Sequence, residues 1–234
     1  MNDVKYRNTG RIVGLLYIIG TVIGVLSVPL LNPRTAPDFL AEIAANQGTF
    51  TVGALLALVM GFSLAFIPAF MFPILKKHNE PMGIAYIVFR GALETCTVII
   101  RFICFLSLAS LSAEYVTGVQ NALTLQSLGG LVNSILKMPM AEFAFGIGAL
   151  IFYYALYRYK LVPRWLPAFG IVAIVLHITA SLLVLLGLQE HFDTGSLIMN
   201  LPIAVQEMVM AVWFIVKGFR MEEAENYSKQ ITIL

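Results

Sequence analysis

The chain has 234 residues, of which 59% are apolar and 12% charged, with a formal charge of +2 and a mean hydropathy of +0.85. Soluble domains run near half apolar and a quarter charged, so this composition excludes a soluble globular protein and points to a polytopic membrane protein. The basic residues are scattered over short connections and form no patch, which excludes a nucleic-acid partner. The expected fold class is all-α: an integral membrane bundle of six transmembrane helices with short outer-side interfacial helices. Residues 1–220 would form a single transmembrane domain and 221–234 a polar cytoplasmic tail.

Six segments are long enough to cross a hydrocarbon core about 30 Å thick. They run over residues 11–31, 51–75, 82–111, 138–158, 165–188 and 197–217. The first follows a basic flank of Lys5, Arg7 and Arg11, and its apolar stretch has the length of a span. No small-residue cleavage site follows it, so it reads as a signal anchor that stays as the first helix. Gly10, Gly14, Gly20 and Gly24 give that helix the small-xxx-small spacing that permits close backbone approach.

Residues 32–50 read as a loop and then a short interfacial helix, with Asp38 as its N-cap or first-turn charge. In the second span Pro68 and Pro73 are expected to kink the helix, as is Pro202 in the sixth. Residues 112–137 carry an amphipathic pattern without the length of a span. They are read as lying on the outer surface, with a re-entrant dip about Gly129-Gly130 as the alternative. Pro163-Arg164-Trp165-Leu166-Pro167 reads as the interfacial entry to the fifth helix. The tail carries Glu222, Glu223 and Glu225 and reads as a solvated terminus.

Lysine and arginine counts set the expected orientation. Eleven fall on one side: Lys5, Arg7, Arg11, Lys76, Lys77, Arg158, Lys160, Arg164, Lys217, Arg220 and Lys229. Two, Arg34 and Lys137, fall on the other. This bias places both termini in the cytoplasm, which requires an even number of spans.

Arg90 and Arg101 are left within the third span, together with Glu94. At roughly 100° per residue, positions 90, 94, 97 and 101 fall within about 60° of one another, so the helix carries one charged stripe. An ionised side chain at bilayer depth costs from about 3 to more than 10 kcal/mol, so the stripe must face protein or water. Other spans add Glu142 in the fourth, His177 in the fifth, and Asn200, Gln206 and Glu207 in the sixth. By depth, Arg101 and Glu142 are the expected structural ion pair. Arg90 and Glu94 are expected to pair at i,i+4, at the level of His177 and Glu207. Three glutamates facing two arginines imply one protonated carboxyl, or a charged His177.

The missing motifs narrow the chemistry. A catalytic zinc needs three protein ligands, and His177 is the one histidine inside a span, with His78 and His191 in loops. There is no His-Glu-x-x-His, no Gly-x-Ser-x-Gly, no Walker loop and no glycine-rich dinucleotide turn. Paired aspartates are absent from the spans. His191 with Glu190 and Asp193 reads as a solvated loop. Cys96 and Cys104, eight residues apart and about 12 Å along a helix axis, cannot form a disulfide and read as buried small hydrophobes. No metal or cofactor is expected.

Arg11-Ile12-Val13-Gly14-Leu15-Leu16-Tyr17, the Arg90/Glu94 helix and Pro163-Arg164-Trp165-Leu166-Pro167 together resemble the bacterial membrane family catalogued as domain of unknown function 4386. The resemblance covers nearly the whole chain. It implies a small multi-span prokaryotic membrane protein, and carries over no activity and no site residue; the expected location is a bacterial plasma membrane.

The function expected from the residues is binding or translocation of a small ligand or a proton through a polar cavity among helices three to six. Arg90 would supply a fixed positive charge, Glu94 and Glu207 would carry protons, and His177 would tune them, with Asn200 and Gln206 alongside. On this reading Glu94→Gln removes the pH dependence of ligand binding without unfolding the protein. A metal-independent lipid-modifying enzyme and a structural or regulatory subunit are the alternatives. The expected partners are the lipid bilayer and a small-molecule or lipid ligand, and the sequence identifies no protein partner.

Overall fold

A computed structural model describes residues 2–118, 121–189 and 193–221, with side chains from Tyr6 onward. All regular structure among these residues is helical. The elements are α1 (Asn2–Leu30), a 3-10 turn (Asn32–Thr35), α2 (Phe39–Ala45), α3 (Gln47–His78), α4 (Glu80–Tyr86), a π-helical turn (Ile87–Leu93), α5 (Glu94–Thr117), α6 (Ala122–Lys137), α7 (Met140–Arg158), α8 (Trp165–Leu185) and α9 (Thr194–Val216). Among the described residues six stretches are long and apolar enough to cross a membrane: Tyr6–Leu30, Gln47–His78, Glu80–Thr117, Ala122–Arg158, Trp165–Leu185 and Thr194–Val216. The fold is all-α, and the protein is a multi-pass membrane protein.

Helix lengths depart from expectation for local reasons. α4, the π turn and α5 run on without a break, so the third stretch is longer than the apolar run 82–111. The fourth stretch is interrupted at Met138-Pro139, which divides α6 from α7. Pro68 and Pro73 lie inside the continuous α3, and Pro202 inside α9. α2 starts where the sequence places it, with the Asp38 carboxylate accepting from the Ala41 N–H at 3.5 Å. α6 passes unbroken through Gly129-Gly130, so no turn forms at these glycines. The acidic tail residues Glu222, Glu223 and Glu225, and the loop residues Glu190 and His191, lie outside the described residues.

The chain divides into two compact units. Unit 1 comprises Met1–Ile19, Ser63–Thr95 and Pro139–Leu234. α7 packs against α8, against α4 and against the π turn, and α8 packs against α9. Gly10 and Gly14 let α1 approach α9: a Cβ at Gly14 would stand 2.5 Å from the Ala211 carbonyl oxygen, and one at Gly10 would stand 2.9 Å from that of Phe214. Two of the predicted small-residue positions therefore make a real helix contact. The core is aromatic, with Tyr86 stacked on Phe152 at 4.8 Å and Tyr17, Tyr153 and Phe214 fully enclosed.

Unit 2 comprises Gly20–Phe62 and Cys96–Met138. Its core gathers Leu31, Ile43, Phe50, Phe105, Leu108 and Leu136, with Phe50 and Phe105 edge to face at 5.9 Å. Gly24 meets Met60, and Gly61 meets Val98. Cys104 is buried in this core as expected, whereas Cys96 is exposed. The correction follows from helix geometry: eight residues are about 2.2 turns, so the two cysteines point to different sides of α5.

Candidate functional site

The polar core of unit 1 starts from a local irregularity. Between α4 and α5 the helix widens into a π turn, and the Glu94 N–H reaches back five residues to the Phe89 carbonyl. Such one-turn bulges are frequent at functional sites. Gly148 on α7 faces this turn. A Cβ added there would stand 2.9 Å from Arg90 Cβ and 3.0 Å from the Arg90 backbone nitrogen. The glycine thus allows the two helices to meet at the backbone of the arginine itself.

Arg90 is 1% exposed. Its Nη1 donates to both oxygens of Glu94, at 3.1 and 2.9 Å. The guanidinium carbon lies 4.4 Å from the centre of the Phe145 ring, in cation–π geometry. Nη2 faces the second carboxylate, Glu207 on α9, with Nη2 to Oε1 at 3.6 Å. That distance makes an ion pair but not a hydrogen bond. One carboxylate is closed on the arginine, and the other is held near it by charge alone.

Three buried tyrosines complete the surroundings. Tyr17 from α1, Tyr86 from α4 and Tyr153 from α7 lie within electrostatic reach of both Arg90 and Glu207. Gly170 on α8 makes room for Tyr153 and Gln206, since a Cβ there would stand 2.9 Å from each side chain. Gln206 is fully buried and donates to the Leu166 carbonyl at 3.4 Å. Among the described residues, Arg90 Nη2, Glu207 Oε1, the Tyr153 hydroxyl and Gln206 Oε1 are buried without a hydrogen-bond partner. Buried polar atoms without partners are rare, and each calls for an explanation. Their appearance within one core is the strongest structural sign of a site.

The structure brings together Arg90, Glu94 and Glu207 as the sequence suggests, with Gln206 adjacent. His177 is held by Asn200: its Nδ1 lies 2.6 Å from Asn200 Oδ1. Its ring meets Phe145 edge to face at 5.1 Å, and Glu142 is within electrostatic reach. Asn200 in turn donates to the Ser196 carbonyl at 2.8 Å. Phe145 therefore stands between the histidine and the arginine, touching both. Of the charged stripe, Arg90 and Glu94 belong to unit 1, while Thr97 and Arg101 belong to unit 2; Glu142 belongs to unit 1. Among the described residues no three His, Cys, Asp or Glu side chains gather as metal ligands.

Charge counting alone misses the three tyrosines and Gly148. Tyrosine normally sits at a membrane interface with its hydroxyl in the headgroup layer. A tyrosine well inside an apolar run, such as Tyr17 or Tyr153, is the available sequence signal. The glycine carries no comparable mark, because small residues are common throughout these helices.

The chain belongs to the family described as domain of unknown function (DUF4386), which matches residues 12–218. That match covers every residue of the polar core. Comparison with curated proteins and with solved structures gave no match.

Proposed function

We propose that the protein binds or translocates a small ligand, or a proton, through the polar core around Arg90, Glu94 and Glu207. The observation that carries this reading is the unequal pairing of the two carboxylates. Glu94 satisfies the Arg90 charge through two short hydrogen bonds. Glu207 is then a surplus acid, 14% exposed and 3.6 Å from a guanidinium already engaged. With all three groups ionised the cluster carries one net negative charge, in surroundings where an unbalanced charge is costly. A proton on Glu207, or a ligand that donates to it, removes that imbalance.

This assignment shifts roles within the residues expected from sequence. Arg90 is a compensated structural charge that holds two acids, and Glu207 is the group that exchanges. Tyr153 and Gln206 supply further buried polar atoms for a small ligand. His177, tied to Asn200, orients Phe145 against the guanidinium. Setting is part of the proposal: a bacterial plasma membrane with both termini cytoplasmic, as the eleven-to-two distribution of Lys and Arg indicates.

The test uses the full chain reconstituted in vesicles with a trapped pH indicator and an imposed potential. Wild type should take up protons, and Glu207→Gln should abolish the uptake while Glu94→Gln retains part of it. Equal signals from wild type and Glu207→Gln would remove Glu207 from the mechanism. The closure of Glu94 on Arg90 favours a second reading, in which the pair specifies packing in a structural or regulatory subunit. Co-purification of a stoichiometric membrane protein, lost on Arg90→Leu, would select it.

A further inference from the structure

Unit 2 holds a second buried arginine with a different environment. The acids of this unit are placed elsewhere: Asp38 caps α2, Glu42 accepts from the Asn46 amide at 3.1 Å, and Glu114 is exposed. Arg34 lies in the 3-10 turn that follows the end of α1 at Leu30, and is 8% exposed. Among the described residues no carboxylate forms an ion pair with it, and its side chain makes one hydrogen bond, from Nη1 to Asn133 Oδ1 at 3.5 Å.

The asparagine belongs to the same device. Asn133 is itself 8% exposed, and its Nδ2 donates to the Arg34 carbonyl at 3.0 Å. A two-way bond of this kind fixes the turn and the side chain together. α6 reaches the turn because Gly129, one helical turn earlier, lets it lie on α2: a Cβ there would stand 3.1 Å from Leu40 and 3.2 Å from Phe39. Arg101 is within electrostatic reach, and burial first and this like charge second lower the Arg34 guanidinium below its ordinary value. Lys137, exposed, follows Asn133 by one turn on α6.

A guanidinium presents five donors in a planar fork that matches phosphate. Here one donor is engaged, the side chain is buried, and no carboxylate among the described residues is paired with it. Its position at the end of a membrane-crossing helix is the depth at which headgroup phosphates lie, and basic pockets between helices recognise such groups.

We propose that Arg34, positioned by Asn133, is a binding site for a phosphate group at the membrane interface. The site lies in unit 2 and does not depend on the role of Glu207. Two sources share this chemistry, an anionic phospholipid headgroup and a free phosphate, and the experiment separates them.

Thermal unfolding of the full chain in neutral detergent is followed with added phosphatidylglycerol, phosphatidylcholine or inorganic phosphate, for wild type, Arg34→Gln and Arg34→Lys. Half-saturation by phosphatidylglycerol at a concentration at least tenfold lower in wild type than in Arg34→Gln, with no response to inorganic phosphate, assigns a lipid headgroup. The same difference with inorganic phosphate assigns a free phosphate. Arg34→Lys keeps the charge but loses the fork, and should weaken either response; it serves as the reading variant should Arg34→Gln not fold. Identical responses of the variants and wild type, or a response to phosphatidylcholine equal to that of phosphatidylglycerol, would overturn the site.

Discussion

Replacing the two carboxylates of the unit 1 core singly and together should give strongly non-additive costs. Glu94 contributes two charge-assisted hydrogen bonds to Arg90 Nη1, at 3.1 and 2.9 Å, and Glu207 an ion pair at 3.6 Å. At an effective dielectric constant of about 20, these separations correspond to gross attractions of roughly 4.5–6 kcal/mol each. The net cost of losing either is far smaller, because the other acid remains. Glu94→Gln leaves Arg90 paired with Glu207, and Glu207→Gln leaves it paired with Glu94. Each single change also removes the surplus negative charge. A cost of about 1 kcal/mol is expected for each: for Glu94 the order of one hydrogen bond weakened from charged to neutral, for Glu207 an ion pair whose attraction is largely offset by its desolvation. The double variant leaves a 1% exposed arginine with no carboxylate, and breaking a buried pair costs about 3–5 kcal/mol. Equilibrium unfolding of the four proteins in one detergent closes the cycle and should give a coupling of about 1–3 kcal/mol. A double variant no less stable than the sum of the singles would refute the picture of one arginine shared by two acids.

Gly148→Ala should destabilise by about 1–3 kcal/mol through overpacking, because its Cβ meets the backbone of Arg90 rather than a movable side chain. Gly130→Ala, with nothing within 4 Å of its Cβ, should instead be neutral or stabilising by up to about 1 kcal/mol; melting curves of the pair check both. Asn200→Ala removes the partner of His177 Nδ1 and should cost about 1–3 kcal/mol, measured by unfolding, because a buried ring nitrogen is left without its bond.

The sequence made the fold legible because a bilayer leaves few solutions. Backbone polar groups must be satisfied internally, so an apolar run of sufficient length is a helix. Asp38 as a cap and the small residues at Gly10 and Gly14 were readable for equally local reasons. The i,i+4 pairing of Arg90 and Glu94 followed from spacing, and the nearness of Glu207 from depth. The inequality between the two acids did not follow, since it depends on a π turn and on the approach that Gly148 permits. Neither has a pattern in an apolar sequence. His177 shows the same limit: its depth was readable, but its pairing with Asn200 rests on helix rotation, which a nearly uniform apolar helix does not encode. Cys96 fails on the same ground, its exposed side being indistinguishable by composition from the buried side of Cys104. Arg34 was legible as a charge in a loop, and its enclosure by Asn133 arises from a contact 99 positions away.

The central claim is that the core around Glu207 holds something the protein itself does not supply. Native mass spectrometry of the full chain extracted in mild detergent, wild type beside Glu207→Gln, tests it most directly. A small molecule or lipid bound to wild type and lost in the variant, with the variant still cooperatively folded, is the predicted result. Identical spectra for the two proteins, with no ligand bound to either, together with equal proton uptake in vesicles, would contradict the claim and leave Arg90, Glu94 and Glu207 as a structural clasp.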